Sequence, residues 1–151
     1  MKKFLSILFV ALLLSLTTGA LANETVKIAA SPVPHAEVLE FIKPLMAEKG
    51  FDIQIEIFED YILPNTVVES GEVDANYFQH TSYLYTFNKE NGTHLVPVIP
   101  VHFEPMGIFK GKSEAQSLTS IDDLQDGAKI GVPNDTSNEA RALLLLESYG
   151  L

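Results

Sequence analysis

Strand-like and helix-like patterns alternate along this chain, and that alternation constrains the fold more than any other feature. Short runs rich in β-forming residues are separated by stretches with apolar residues at helical spacing; the runs lie at 26–30, 51–58, 73–78 and 95–101. A helix between two strands returns the chain to the same end of the sheet, so successive strands run parallel. We therefore predict an α/β fold built on a parallel sheet.

Three helices are predicted in the first part of the chain. The first starts near His35 and contains Pro44, which predicts a kink or an early end because proline lacks the N–H donor. The second covers 65–70, and the third covers about 82–89. Each lies between two of the predicted strands, as the alternation requires.

The last part of the chain carries the same kinds of signal. A short helix at 121–124 is followed by a predicted strand at 129–132. Thr136 and Glu139 have the spacing of a capping box, so the final helix is expected to begin near Ser137. The leucines that follow are expected to form its packing face.

The N-terminus has the composition of a secretory signal peptide. Lys2 and Lys3 precede an unbroken run of apolar residues and serines at 4–16, and Ala20 and Ala22 give the small-x-small pattern of a cleavage site. A run of this length is shorter than the about 20 residues that span a bilayer. We expect cleavage after Ala22 rather than a retained membrane anchor.

A polar stretch at 110–120, rich in serine, is the best candidate for a boundary between domains. Three segments are predicted on this basis: a signal peptide at 1–22, a first α/β lobe at 23–109 and the start of a second α/β lobe at 110–151.

Charge and composition exclude several functions. The net charge is −10, and loss of two lysines with the signal peptide lowers it to −12. No basic run is present, so binding to nucleic acid or to an anionic lipid surface is not expected. The sequence contains no cysteine, which excludes disulfides, thiolate nucleophiles and cysteine-based metal sites.

Two aromatic rings and an imidazole are concentrated between a predicted strand and the next helix. Phe78, His80 and Tyr83 surround this junction, where Thr81 or Ser82 is the predicted helix cap. In parallel α/β sheets, ligands bind beyond the carboxyl ends of the strands. The cluster therefore indicates a binding site, with core filling as the alternative interpretation.

Arg141 has an unusual position in the final helix. It shares a face with Asn138 near the N-terminus, where the helix dipole favours acidic side chains. An anionic ligand would resolve this conflict, because a guanidinium binds a carboxylate through two hydrogen bonds. The alternative is a surface arginine that pairs with Glu139 or Asp135.

Metal and hydrolase chemistry are weaker alternatives. An exported metal-binding protein would use Glu37 or Glu104 together with histidines; these are His35, His80, His94 and His102. None has the spacing of a helix-borne metal motif, and the G-x-S-x-G elbow of serine hydrolases is missing. We predict a binding protein, not an enzyme, with no cofactor.

Five segments together resemble one protein family. They are PVPHAE at 32–37, DYILPN at 60–65, DANYFQH at 74–80, HFEPMG at 102–107 and PNDTSNEARALLLL at 133–146. In this order they resemble the NlpA family of methionine-binding lipoproteins, the substrate-binding components of methionine ABC importers. The resemblance covers nearly all of the chain after the signal peptide. It implies a two-lobed, class II-like periplasmic-binding-protein fold that closes over its ligand.

The resemblance also implies roles for seven residues. A pocket for the methionine thioether would be lined by Tyr61, Phe78, His80 and Tyr83. Arg141 would clamp the ligand carboxylate, Asn138 would hydrogen-bond its polar end, and Glu104 would lie beside the pocket. A sulfur atom beside aromatic rings gains roughly 0.3–1.5 kcal/mol per contact. His80 is expected to be neutral, because an imidazolium would repel the ligand ammonium.

Two features depart from the family pattern. The lipid-bearing cysteine is missing, so an unlipidated periplasmic protein is expected, with an importer permease as partner and no stable membrane anchor. The sequence ends at Leu151, whereas family members continue through the second lobe, so we expect a truncated product or a fragment. Weak affinity is then expected, and a remnant that binds nothing is the alternative. The motifs do not distinguish L-methionine, D-methionine and Gly-Met.

Overall fold

The computed structural model describes residues 23–111 and 118–151. The predicted signal peptide and the middle of the predicted linker, 112–117, lie outside the described residues. The chain divides into two compact units, unit 1 ending at Phe78 and unit 2 beginning at Gln79. The lobe boundary predicted at 109/110 from the polar stretch that follows it stays a prediction. In the described ranges, no helix is both long enough and apolar enough to cross a membrane.

Unit 1 is an α/β structure with a parallel sheet, which confirms the predicted fold class. Its elements are β1 (Glu24–Ala30), α1 (Glu37–Ala47), β2 (Phe51–Ile57), α2 (Leu63–Glu69) and β3 (Ala75–Tyr77). The strand order is β2-β1-β3, and β1 is parallel to both neighbours. The last residue of β1, Ala30, is aligned with the last residues of β2 and β3. All three strands therefore end at one edge of the sheet.

The core of unit 1 lies on both faces of β1. Ala29 and Ala30 are fully buried, and as neighbours in a strand they face opposite sides of the sheet. Ala30 packs against Leu39 of α1, whereas Ala29 packs against Val67 of α2 and Val73. The small alanine side chains let both helices approach the central strand closely. The two helices thus cover opposite faces of the sheet.

Helix α1 begins later than predicted and passes its proline. A turn closed by a hydrogen bond from the Ala36 N–H to the Ser31 carbonyl, with Val33 in an extended conformation, precedes it, so the α-helix starts at Glu37 and not at His35. Pro44 lies within the helix, which continues to Ala47. The predicted early end is wrong because Pro44 falls in the last turn, where the loss of one N–H donor removes a single bond.

Unit 2 contains two longer helices and no strand in the part of the chain that the structure describes. Its elements are α3 (Thr81–Asn91), a 3₁₀ turn (Ile121–Asp123) and α4 (Thr136–Ser148). The strands predicted at 95–101 and 129–132 are both wrong, since these segments pair with no other strand. A strand requires a hydrogen-bonding neighbour, and a sequence pattern does not supply one.

Both longer helices of unit 2 are capped earlier than predicted, by one or two residues in α3 and by one residue in α4. His80, not Thr81 or Ser82, is the N-cap of α3, and Asp135, not Thr136, is the N-cap of α4. The predicted packing face of α4 is also only partly correct, because Leu143 and Leu144 are more than half exposed; Ala142 and Asn138 are buried instead.

Candidate functional site

Two candidate residues meet at the carboxyl edge of the sheet in unit 1. Phe78 directly follows β3, and Tyr61 lies in the loop after β2. Their ring centroids are 5.6 Å apart with an interplanar angle of 72°, an edge-to-face contact. Phe78 is 4% exposed, whereas Tyr61 is 50% exposed. One ring is therefore anchored in the interior, and the other is available at the surface.

The loop that carries Tyr61 is held by hydrogen bonds from its own motif. Oδ1 of Asp60 accepts from the backbone N–H groups of Ile62 at 2.8 Å and Leu63 at 2.7 Å, which fixes the turn into α2. The side chain of Asn76, in β3, donates to the buried Asn65 Oδ1 at 2.9 Å. The polar residues of DYILPN and DANYFQH thus position Tyr61 and the strand before Phe78.

In unit 2, His80 links two helices. Its Nδ1 accepts from the backbone N–H of Tyr83 at 3.1 Å, which caps α3. Because Nδ1 is an acceptor here, the proton of the neutral imidazole lies on Nε2. Nε2 donates to Oδ1 of Asn138, in α4, at 2.8 Å. These two bonds suit the neutral imidazole that was predicted.

Asn138 and Arg141 form the centre of the candidate site in unit 2. Asn138 is buried, and its Oδ1 also accepts from Arg141 Nη1 at 3.0 Å. Nη2 of Arg141 donates to the backbone carbonyl of Glu104 at 3.3 Å. A guanidinium has five N–H groups, and these two contacts use two of them, so three have no partner in the described part of unit 2.

Arg141 has no anionic partner among the described residues of unit 2. The alternative prediction, pairing with Glu139 or Asp135, is wrong: the contacts of Arg141 are an amide oxygen and a peptide carbonyl. The Asp135 carboxylate instead accepts from Asn138 and Ser137. The positive charge of Arg141, the only arginine of the sequence, is thus held by neutral acceptors.

Sequence reasoning treated Asp135 only as a partner for Arg141 and missed its role as the residue that holds Asn138. Burial raises the pKa of Asp135, but hydrogen bonds from the Asn138 backbone, the Asn138 amide and Ser137 outweigh it and lower the pKa below 3.8. Asp135 is therefore ionised at neutral pH and acts only as an acceptor. Its position three residues before Asn138, at an N-cap, was the available signal.

The remaining two candidates have different surroundings. Tyr83 is buried, and its ring contacts His80 with centroids 6.3 Å apart and Phe87 with centroids 6.0 Å apart. Glu104 reaches Arg141 through its backbone carbonyl, while its side chain lies 3.0 Å from Nε2 of His102. Unit 2 thus brings together five candidates, His80, Tyr83, Glu104, Asn138 and Arg141.

The same contacts bear on the metal alternative. Both ring nitrogens of His80 are used in hydrogen bonds, so His80 offers no lone pair to a metal ion without rearrangement. The Nδ1 of His35 lies 2.6 Å from Ser31 Oγ, and the His35 ring packs edge-on against Tyr77. His102 Nε2 and Glu104 Oε1 lie 3.0 Å apart, so these two residues are the ones to test for metal binding.

Comparison with known proteins gives a consistent result. The family model of the NlpA lipoproteins matches residues 26–151. The methionine-binding lipoprotein MetQ of Bacillus subtilis is 39% identical over 130 residues, which are 85% of this chain and 46% of that protein. The chain therefore spans about half the length of the curated relatives it matches.

Solved structures show the same relationship. A lipoprotein from Ruminococcus gnavus is 53% identical, with a TM-score of 0.78 over 84% of this chain and 50% of that one. A nutrient-binding protein from Burkholderia cenocepacia, solved bound to methionine, is 37% identical, with a TM-score of 0.76 over 83% of this chain and 50% of its own. From the extent of the family match and the agreement in fold, the chain belongs to the NlpA lipoprotein family.

Proposed function

We propose that this chain acts as an extracytoplasmic substrate-binding protein that captures methionine, or a close analogue, for an ABC importer. The observation that carries the proposal is Arg141: a half-buried guanidinium that has only neutral acceptors, and three N–H groups without a partner, among the described residues of its own unit. A ligand carboxylate supplies the missing negative charge and accepts two parallel hydrogen bonds.

The polar surroundings of Arg141 suit an amino acid zwitterion. The amide oxygen of Asn138 accepts from His80 and Arg141, and one of its two amide hydrogens is donated to Asp135. The second amide hydrogen is left for the ligand. A neutral His80 does not repel the ligand ammonium, whereas an imidazolium would. These residues favour a ligand with an anionic end over a purely cationic or purely apolar one.

The aromatic pair of unit 1 suits the methionine side chain. The exposed ring of Tyr61, supported by buried Phe78, offers a polarisable surface to a thioether. Such contacts contribute about 0.3–1.5 kcal/mol each. The relatives named for methionine binding, and the one solved with methionine bound, support the same ligand. Binding without chemical conversion is proposed, so no catalytic role is assigned to any residue.

Titration calorimetry with matched ligands tests this proposal. L-Methionine and D-methionine are compared with norleucine, which lacks the sulfur atom, and with methioninol, which lacks the carboxylate. Binding of methionine with loss of methioninol binding is the expected result, because Arg141 requires the carboxylate. Gly-Met tests whether a longer cargo is accepted. Absence of heat with all of these ligands would overturn the proposal and favour a non-binding remnant.

In the same experiment, titration with zinc distinguishes metal binding from methionine capture. His102 Nε2 and Glu104 Oε1 lie 3.0 Å apart, a contact that a shared metal ion also produces. If zinc is the only ligand that gives heat, and that heat is lost in His102→Ala, metal binding is the function and methionine capture is not.

Export of an unlipidated product is the second part of the proposal. The signal peptide predicts a mature chain that starts at Asn23, and the sequence offers no cysteine for a thioether-linked lipid. Intact-mass measurement of the periplasmic fraction is expected to give the mass of residues 23–151 without an adduct. A mass that includes residues 1–22, or a lipid, would contradict it.

A further inference from the structure

The amide of Asn138 has a single orientation that fits its neighbours. Its Oδ1 faces two donors, His80 Nε2 at 2.8 Å and Arg141 Nη1 at 3.0 Å. Its Nδ2 faces an acceptor, Asp135 Oδ2, at 3.0 Å. Rotation of the amide by 180° would place N–H groups against N–H groups and an oxygen against a carboxylate. The orientation of this one amide therefore determines what His80 and Arg141 contact.

Asp135 fixes this orientation from the NH₂ side of the amide, as Arg141 does from the oxygen side. Its Oδ1 accepts from the backbone N–H of Asn138 and from the hydroxyl of Ser137, both at 2.9 Å, which fixes the carboxylate at the N-terminus of α4. Its other oxygen then faces Nδ2 of Asn138. An ionised carboxylate has no hydrogen to donate, so only the NH₂ side of the Asn138 amide can face it.

We propose that Asp135 is a positioning residue for the ligand site: through Asn138, it holds the amide oxygen that accepts from His80 Nε2 and from Arg141, and so keeps the guanidinium toward a ligand carboxylate. Asp135 need not touch the ligand. The proposal deepens the function proposed above and rests on it for the ligand, but the effect on His80 requires no ligand.

The helix-capping role of Asp135 can be separated from this positioning role. Asn and Ser are N-cap residues about as good as Asp, so Asp135→Asn and Asp135→Ser both retain the bond to the Asn138 backbone N–H. Neither retains a second acceptor oxygen for Asn138 Nδ2. Asp135→Asn also places an NH₂ group there, which favours the rotated amide.

The hydrogen bond from His80 Nε2–H to Asn138 is the readout that a helix-capping role of Asp135 alone would not change. In ¹⁵N NMR spectra at pH 7.5, without ligand, the wild-type His80 is expected to show a protonated Nε2 and an unprotonated Nδ1, because Nδ1 accepts from the Tyr83 N–H. In Asp135→Asn the tautomer should not change, but the Nε2–H proton is expected to exchange with water faster, and Asp135→Ser should give a smaller increase. The methionine dissociation constant is expected to rise about tenfold in Asp135→Asn, with nearly unchanged melting temperature.

Asp123 provides the matched control. It too is an aspartate at a helix N-terminus in unit 2, where it accepts from the backbone N–H groups of Thr119 and Ser120, but it contacts none of the candidate residues. Asp123→Asn is expected to leave the exchange of the His80 Nε2–H proton and the methionine affinity unchanged.

Unchanged exchange of the His80 Nε2–H proton in both Asp135 variants would overturn the proposal, whatever the affinity. If the wild-type protein binds no methionine, the proposed function fails, while the NMR comparison still decides whether Asp135 positions His80.

Discussion

The two units hold their candidate residues by different means. In unit 1, the register of three parallel strands and a core on both sides of the sheet place Tyr61 and Phe78. In unit 2, side-chain hydrogen bonds at two helix N-termini place His80 and Arg141. Apolar side chains remain exposed there; Val98, for example, is 89% exposed. Substitutions should therefore act mainly on stability in unit 1 and mainly on binding in unit 2.

The largest effect is expected for Arg141→Ala. Removal of the charged partner of a desolvated carboxylate costs about 2–5 kcal/mol of binding, which would abolish detectable binding of methionine. The melting temperature should change little, because Arg141 forms no ion pair with the described residues of unit 2. Calorimetry and thermal unfolding of the same sample measure both quantities.

Arg141→Lys is the matched control for charge. It retains the positive charge but not the planar fork, so an intermediate loss of affinity is expected. Wild-type affinity in Arg141→Ala would remove this residue from the site.

The second largest effect is expected in the core of unit 1. Leu39 is 5% exposed and packs against Ala30, so Leu39→Ala should lower the free energy of unfolding by about 2–5 kcal/mol. Leu45, in the same helix, is 49% exposed, and Leu45→Ala should change the free energy of unfolding by about 0.5 kcal/mol or less. Urea denaturation measures both. Equal losses in the two variants would show that α1 does not pack as described.

A smaller, pH-dependent effect is expected at the N-terminus of α4. The pKa of Asp135 is lowered from 3.8, so its stabilising contribution is complete well above pH 3.8 and is lost as the pH falls through the lower, folded-state value. Asp135→Ala should cost about 1 kcal/mol at pH 7, and the difference from wild type should shrink below pH 3.8.

Thermal unfolding between pH 7 and pH 3 measures that difference. Asp126 is exposed and caps neither α3 nor α4, so Asp126→Ala is the control and should change the stability little at pH 7. A difference between Asp135→Ala and wild type that grows toward low pH would contradict the assigned direction of the pKa shift.

The smallest effect is expected for Tyr61→Ala. Loss of one aromatic contact to sulfur should weaken methionine binding by about 0.3–1.5 kcal/mol, and norleucine binding by less. Tyr61→Phe keeps the ring and should bind methionine as the wild type does. Equal losses for methionine and norleucine would remove the sulfur–ring contact from the explanation.

Prediction from sequence worked best where each element finds its partner nearby. The types and order along the chain of the strands and helices of unit 1 were predicted correctly, because they depend on local apolar patterns, whereas the strand order β2-β1-β3 came only from the structure. The segments at 95–101 and 129–132 have equally good strand patterns but pair with nothing among the described residues. A strand pattern records that a segment can pair, not that a partner is available.

The residues that cap the helices were also not predicted correctly from local patterns. Thr136 and Glu139 have the spacing of a capping box, yet the helix begins with Asp135 as its cap and Thr136 donates to Glu90 at 3.3 Å instead. His80 was not considered as a cap because histidine rarely has that role. Neighbouring polar residues compete for one cap position, and the path of the backbone decides between them.

The sequence by itself determined the α/β class, the family and the set of residues to examine, since each depends on local patterns and on the order of motifs. Only the tertiary structure showed that His80 bonds to Asn138, 58 residues away, and that Arg141 bonds to the Glu104 carbonyl, 37 residues away. It also showed that the Asp135 carboxylate accepts a hydrogen bond from the Asn138 amide. Such bonds depend on where the folded chain brings distant residues together, and no local pattern encodes that distance.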